Sequence, residues 1–165
     1  MIIGIVCTDK NWGIGKKNNL LFHLKKDMQF FRQTTADSIV VCGYNTLLSF
    51  PGSKPLKGRS TICLCPEEVE RDDCYCIHNF EEMVKLVKEL AKTQNVYIIG
   101  GAMLYKSMLP YYDKVFVTHV DADGEAEVFF PNLREANSGF KLVNAYPTYD
   151  GDYHINFSTY VREVV

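Results

Sequence analysis

The chain has 165 residues, 47% hydrophobic and 23% charged, enough to bury one compact core and far from the polar balance that keeps chains disordered. Its 18 Lys and Arg against 20 Asp and Glu leave a formal net charge of -2, which excludes a general attraction to nucleic acid or anionic membranes. No apolar run is long enough to cross a bilayer, and Met1-Ile2-Ile3-Gly4-Ile5-Val6-Cys7 carries no basic leader, so a cytoplasmic protein is expected.

In chain order, the first element is a strand over residues 2–7 with the apolar continuity of a buried position. The loop after it, residues 9–19, is rich in turn formers and has two readings, a lid or a solvated connection; its Gly-Ile-Gly-Lys does not have P-loop spacing. A helix over 24–35 puts Leu24, Met28 and Phe31 on one face, with Asp27 at the margin of that stripe. A carboxylate facing the protein is desolvated and suited to handling a proton. The alternative is a partly exposed acid that pairs with a lysine or supports the helix N-terminus.

A strand over 39–42 ends at Gly43, and Arg59 follows Pro55-Leu56-Lys57-Gly58. Its fork suits a substrate carboxylate, although a lone surface arginine is more often just solvated. Strands over 61–65 and 75–77 bring two C-x-C pairs, Cys63/Cys65 and Cys74/Cys76, each with both sulfurs on one face. Zinc ligands are usually separated by two residues, so the cysteines read as small apolar fillers in a reducing compartment, and no metal is expected.

A helix over 80–91 has a clear apolar stripe behind the capping signal of Asn79 and Glu82. The strand over 96–99 runs into Gly100-Gly101 and a helix over 102–109 that Pro110 stops. A strand end followed by glycines and a helix N-terminus can receive a phosphate, although the full G-x-G-x-x-G is missing. Gly43 ends its strand in the same way, so two helix entries converge on one crevice at the carboxyl ends of the strands. After a strand over 115–120, segments 140–146 and 154–165 flank a turn over 147–152 as an antiparallel hairpin. The alternation of elements predicts a single α/β domain over 1–165: a mostly parallel central sheet, helices on both faces and a C-terminal antiparallel hairpin at its edge.

Several short motifs follow one another along this frame. They are Gly13-Ile14-Gly15, Asp27 with Phe30-Phe31 and Thr34-Thr35, Val40-Val41-Cys42-Gly43 with Thr46, and Pro55-Leu56-Lys57-Gly58-Arg59. Then come Ile98-Ile99-Gly100-Gly101 with Tyr105, Thr118-His119 and Phe129-Phe130-Pro131. None is specific alone, but in joint order and spacing the chain resembles dihydrofolate reductase over nearly its whole length.

The resemblance implies hydride transfer from NADPH to 7,8-dihydrofolate, giving 5,6,7,8-tetrahydrofolate, while N5 gains a proton by way of water. Asp27 is then the residue that orients the pterin and aids protonation, supported from behind by Thr118, with Leu20 and Phe22 as the other catalytic positions. Substrate contacts are implied for Ile5, Cys7, Met28, Phe31, Arg32, Phe50, Leu56, Ile99 and Tyr105, and Arg59 clamps the glutamate carboxylate. Cofactor contacts are implied for Cys7, Ile14, Gly15, Asn18, Leu20, Gly43, Tyr44, Asn45, Thr46, Leu64, Cys65 and His78. The same holds for Ile99, Gly100, Gly101, Ala102, Met103, Leu104 and Tyr105, with the loop through Leu20 closing over the nicotinamide. The resemblance also implies a monomer that antifolate inhibitors can bind.

Departures fall at defined tasks. Tyr44 and Ala102-Met103 stand where the family commonly has basic residues facing the 2′-phosphate; His78 partly compensates, so NADPH remains the expected cofactor with NADH left open. Leu21 and Phe22 stand where the family has proline and tryptophan, and Phe22 has no N–H to hold a water. Antifolate sensitivity is therefore not inherited from the resemblance. Glu127 replaces a frequent aspartate. Two other readings stay open: a related pterin or flavin-precursor reductase, and a homologue that binds folate or nucleotide with weak or no turnover. Arg59 argues against the first, and Asp27, Thr118 and the cofactor glycines argue against the second.

Overall fold

The computed structural model describes residues 1–17 and 19–164. Its main sheet has the strand order β5-β4-β3-β6-β1-β7-β10-β9. Strands β1 (Ile2–Thr8), β3 (Ile39–Gly43), β4 (Ser60–Leu64), β5 (Tyr75–Ile77), β6 (Val96–Gly100) and β7 (Lys114–Val120) are mutually parallel. The last two, β9 (Phe140–Asp150) and β10 (Tyr153–Arg162), add an antiparallel hairpin onto β7. Central parallel strands are covered on both faces and so read as unbroken apolar runs; every residue of β6 is buried.

Helices α1 (Lys25–Thr35) and α2 (Tyr44–Ser49) cover one face, over a core that includes Ile3, Ile5, Val40, Leu47 and Tyr97. Phe30 of α1 packs on Phe116 and Phe157 at centroid distances of 5.8 and 5.2 Å. Helices α3 (Phe80–Leu90) and α4 (Ala102–Ser107) close the other face with Met83, Val87, Leu104 and Met108. The cap foreseen at α3 is present, with the Glu82 amide donating to Asn79 Oδ1 at 3.1 Å. None of the helices described is long and apolar enough to span a membrane.

Three local features differ from the sequence reading. The segment expected as a wide turn over 147–152 is mostly strand: Pro147 pairs with Asn156, and the reversal narrows to Gly151 and Asp152. A proline is tolerated there because β9 is the sheet edge, with one side that needs no ladder donor. The first half of the loop over 9–19 is not a solvated connection, since Trp12, Gly13, Ile14 and Gly15 are buried. Within it β2 (Gly13–Gly15) pairs with β8 (Val128–Phe129) as a small second sheet. Helix α2 itself goes unannounced, because six residues carry too little periodicity to register.

Candidate active site

The carboxyl ends of β3, β6 and β1 lie side by side at one end of the sheet, and register decides what meets there. Cys7 on β1 and Thr118 on β7 are partners across the ladder, so both side chains stand on the α1 face. Asp27, in the first turn of α1, is half-buried, and both side chains hydrogen-bond its carboxyl. Burial raises the Asp27 pKa above its ordinary value, the Thr118 and Cys7 hydrogen bonds draw it partly back, and the charge of Asp150 adds a further rise. Burial, reinforced by Asp27, also holds the Cys7 thiol well above its usual range. The Tyr105 phenol is pushed up by burial and then by Asp27 and Cys7, and it donates to the Ile5 carbonyl at 2.7 Å. Cys7 and Tyr105 are thus fixed as neutral donors, and Asp27 is the acid among them, its pKa raised by burial.

A second gathering lies beside it. Helix α2 begins after Gly43 and α4 after Gly101, and neither start has a side-chain cap, so first-turn amides at both are available to an anion. The two starts touch: a Cβ built on Gly43 would lie 3.9 Å from the Gly100 carbonyl oxygen and the Gly101 nitrogen, and one on Gly101 would lie 3.3 Å from Thr46 Oγ1. Gly100 has φ +119°, and a Cβ there would sit 3.2 Å from the Tyr105 ring; only glycine takes that backbone so close to an aromatic face. The Gly100–Gly101 peptide is cis.

Arg59 is built in rather than loose. Its Nε donates to Thr35 Oγ1 at 3.1 Å, Nη1 to the Lys57 carbonyl at 2.6 Å and Nη2 to the Arg32 carbonyl at 2.8 Å. Each terminal nitrogen keeps a further N–H, a pair suited to a carboxylate. His78 Nδ1 lies 3.3 and 3.0 Å from the Cys65 and Pro66 carbonyls, and its Nε2 lies 3.1 Å from Glu70 Oε1. Partial desolvation lowers its pKa, but these contacts together outweigh that and raise it.

The remaining residues singled out in the sequence fall in three environments. Ile5 and Ile99 belong to the core beneath α1, with Phe31, Phe50, Leu56 and Tyr44 partly buried against it. Ile14 and Gly15 are buried in β2, Leu64 and Cys65 close the end of β4, and Asn45 and Ala102 lie in the first turns of α2 and α4. Others project outward: Met28 is 47% exposed, Leu20 63% and Met103 85%. Phe22 is half-buried, edge to face with Tyr153 at 5.1 Å. Asn18 lies outside the described residues.

Sequence reasoning missed two acidic groups. Asp9 is buried and accepts amides from Asn11 at 2.8 Å, Gly13 at 2.7 Å and Gly124 at 3.0 Å, which locks the β1–β2 loop to the segment after β7. Its contact two residues on is an Asx turn, a signal present in Asp9-Lys10-Asn11. Asp150 accepts the Lys26 amide at 2.7 Å across 124 residues, and no local pattern announces it.

Residues 1–162 match the family model described as dihydrofolate reductase. The dihydrofolate reductase of Haemophilus influenzae is 33% identical over 129 residues, 78% of either chain, and that of Bacillus subtilis is 29% identical over 146 residues, 88% of this chain and 83% of that one. A dihydrofolate reductase from Enterococcus faecalis, solved with NADP(H) and RAB-propyl, superposes with a TM-score of 0.85 at 26% identity, covering 99% of this chain and 97% of that one.

Proposed function

We propose, from the premise that this chain belongs to the dihydrofolate reductase family, that it reduces 7,8-dihydrofolate to 5,6,7,8-tetrahydrofolate with NADPH. Asp27 is the observation that carries this: a half-buried carboxyl of raised pKa, seated on Thr118 and Cys7 at the mouth of the parallel strands. Ionised, it accepts paired hydrogen bonds from the pterin ring nitrogen and amino group and so fixes the ring. Burial raises its pKa above the ordinary carboxyl value, the direction that suits N5 protonation through water. Thr118 holds the carboxyl from behind, and Leu20 and Phe22 flank the catalytic end of the crevice. Ile5, Cys7, Met28, Phe31, Arg32, Phe50, Leu56, Ile99 and Tyr105 wall the pterin and the tail, while Arg59 offers its remaining N–H pair to the glutamate carboxylate.

The two uncapped helix starts meeting at Gly43, Gly100 and Gly101 fit a dinucleotide pyrophosphate. Bound there, NADPH supplies the hydride that the pterin receives at C6. Tyr44, Asn45, Thr46, Ala102, Met103 and Leu104 line that entry, with Ile14, Gly15 and Leu20 from the loop side and Leu64, Cys65 and His78 at the far end. His78 is the basic group offered to the 2′-phosphate, and its Nε2 already lies 3.1 Å from Glu70 Oε1. The protein acts on small molecules as a cytoplasmic monomer; its net charge of -2 gives nucleic acid no general hold.

The test mixes purified protein and dihydrofolate with NADPH or NADH and follows the loss of reduced-nicotinamide absorbance. Turnover with NADPH is expected. Turnover confined to a pterin or flavin precursor without a glutamate tail would select a different reductase, and binding without turnover would leave only a folate- or nucleotide-binding protein.

A further inference from the structure

Five of the six cysteines share one patch of the sheet; Cys65 among them borders the proposed cofactor entry, and no step described above uses a thiol of the five. Cys42, Cys63 and Cys76 are successive partners across β3, β4 and β5, so their side chains stand in one row on one face. Cys65 lies two residues beyond Cys63, and Cys74 two before Cys76, which returns both to that face. All five belong to the same core cluster, Cys42, Cys63 and Cys65 at its centre and Cys74 and Cys76 at its margin. The Cys65 and Cys76 sulfurs lie 3.4 Å apart, and Cys74 Sγ lies 4.0 Å from Cys76 Sγ. Cys65 is buried and Cys76 half-buried at the edge strand β5, so a reagent from solvent meets one member while the other waits behind it.

We propose that Cys65 and Cys76 form a dithiol site that a low-molecular-weight disulfide such as oxidised glutathione converts to a protein disulfide, fastening β5 to the end of β4. Cys76 attacks one glutathione sulfur as thiolate, its proton passing to the glutathione released, and a mixed disulfide forms. Cys65 then loses its proton to solvent and attacks Cys76 Sγ, expelling the second glutathione, which takes up a proton. Two protein thiols are oxidised, one glutathione disulfide is reduced to two thiols, and no other reactant is needed. Burial, then the neighbouring thiols, hold Cys65 above the usual thiol range. A thiol not stabilised as thiolate gains nothing from staying reduced, so the bond resists reduction once made. A Cys74–Cys76 bond competes poorly, because bridging alternate residues of one extended segment strains the backbone.

The full chain is incubated with oxidised glutathione, the remaining thiols are alkylated, and intact mass and peptide maps are read before and after dithiothreitol. The expected product has lost two hydrogens, carries no glutathione, maps to a Cys65–Cys76 link and reverts on reduction. Cys65→Ser should stop the reaction at a glutathione adduct on Cys76, and Cys76→Ser should abolish the link. Because either variant is able to perturb the core, the unsubstituted chain is also titrated with phenylarsine oxide, which closes on adjacent thiols; one equivalent protecting both Cys65 and Cys76 from alkylation is expected. A link between other cysteines, a persistent glutathione adduct on the unsubstituted chain, or full alkylation of Cys65 and Cys76 after either reagent would overturn the proposal.

Discussion

Burial lifts the Asp27 pKa above its ordinary value, and the hydrogen bonds from Thr118 and Cys7 only partly offset that, so the folded chain holds this proton more tightly than the unfolded chain does. A carboxyl with a raised folded pKa contributes stability that is fully present below its unfolded pKa and is lost as pH rises through the folded one. Ionising Asp27 in the folded chain therefore comes at the expense of the fold, a cost that a neutral isostere removes. Asp27→Asn should lose on the order of 10²- to 10⁴-fold in turnover near neutrality. The same variant should be more stable to urea than the parent at pH 7, the gap closing below the ordinary aspartate pKa of about 3.9. Urea titrations at both pH values, beside the absorbance assay, check the pair of effects. Equal stability at pH 7 would mean that the carboxyl is not desolvated, and equal activity would remove it from the chemistry.

Helix α1 carries Asp27, yet its start is not secured by its own sequence. Leu24 stands at the cap position with no side-chain bond to offer, and the first-turn amide of Lys26 is met by Asp150 of β9 at 2.7 Å, with Lys26 Nζ on Thr148 Oγ1 at 3.2 Å. The hairpin thus caps helix α1 from the far end of the chain and sets a like charge near Asp27. Asp150→Ala should cost about 1 kcal/mol, as the loss of a helix cap does, and should shift the pH profile of turnover downward, because Asp150 raises the Asp27 pKa. Asp150→Asn keeps the acceptor and loses the charge, so it should shift the profile with little loss of stability; an unmoved profile in both variants would show that the charge does not reach Asp27. Elements with local signals were legible from sequence: α3 from its stripe and Asn79, the parallel strands from unbroken apolar runs, and the Asp27 seat from helical spacing joined to family likeness. What escaped depends on distant partners. Asp150 lies 124 residues from the amide it caps, Gly13–Gly15 becomes a strand only because Val128–Phe129 lies beside it, and Pro147 is admitted to β9 only because that strand is an edge.

At the scale of the molecule, the sheet leaves no seam along which the chain divides. β1 lies between β6 and β7, pairing Ile2 with Val96 and Ile3 with Lys114, so the first strand is not in place until two-thirds of the chain has arrived. The ends are tied to the same region: the Ile2 amide donates to Asp113 Oδ2 at 2.8 Å, and Arg162 donates to the Tyr112 and Leu109 carbonyls at 2.7 Å each. A core on each face of one sheet, with β1 common to both, should unfold as one unit. The chain carries its own probe, because its one tryptophan, Trp12, lies buried against His119 at 4.5 Å, Tyr160 at 5.7 Å and Phe130 at 6.3 Å. Trp12 also sits in the turn locked by Asp9, so its fluorescence reports the loop and core together, while far-UV circular dichroism reports the sheet and helices. The two signals should trace a single coincident urea transition, with refolding in milliseconds to seconds because parallel pairing across such separations is slow. A tryptophan transition that precedes the dichroism would mark the β1–β2 loop as a separately melting unit, and a biphasic dichroism curve would divide the chain into two domains.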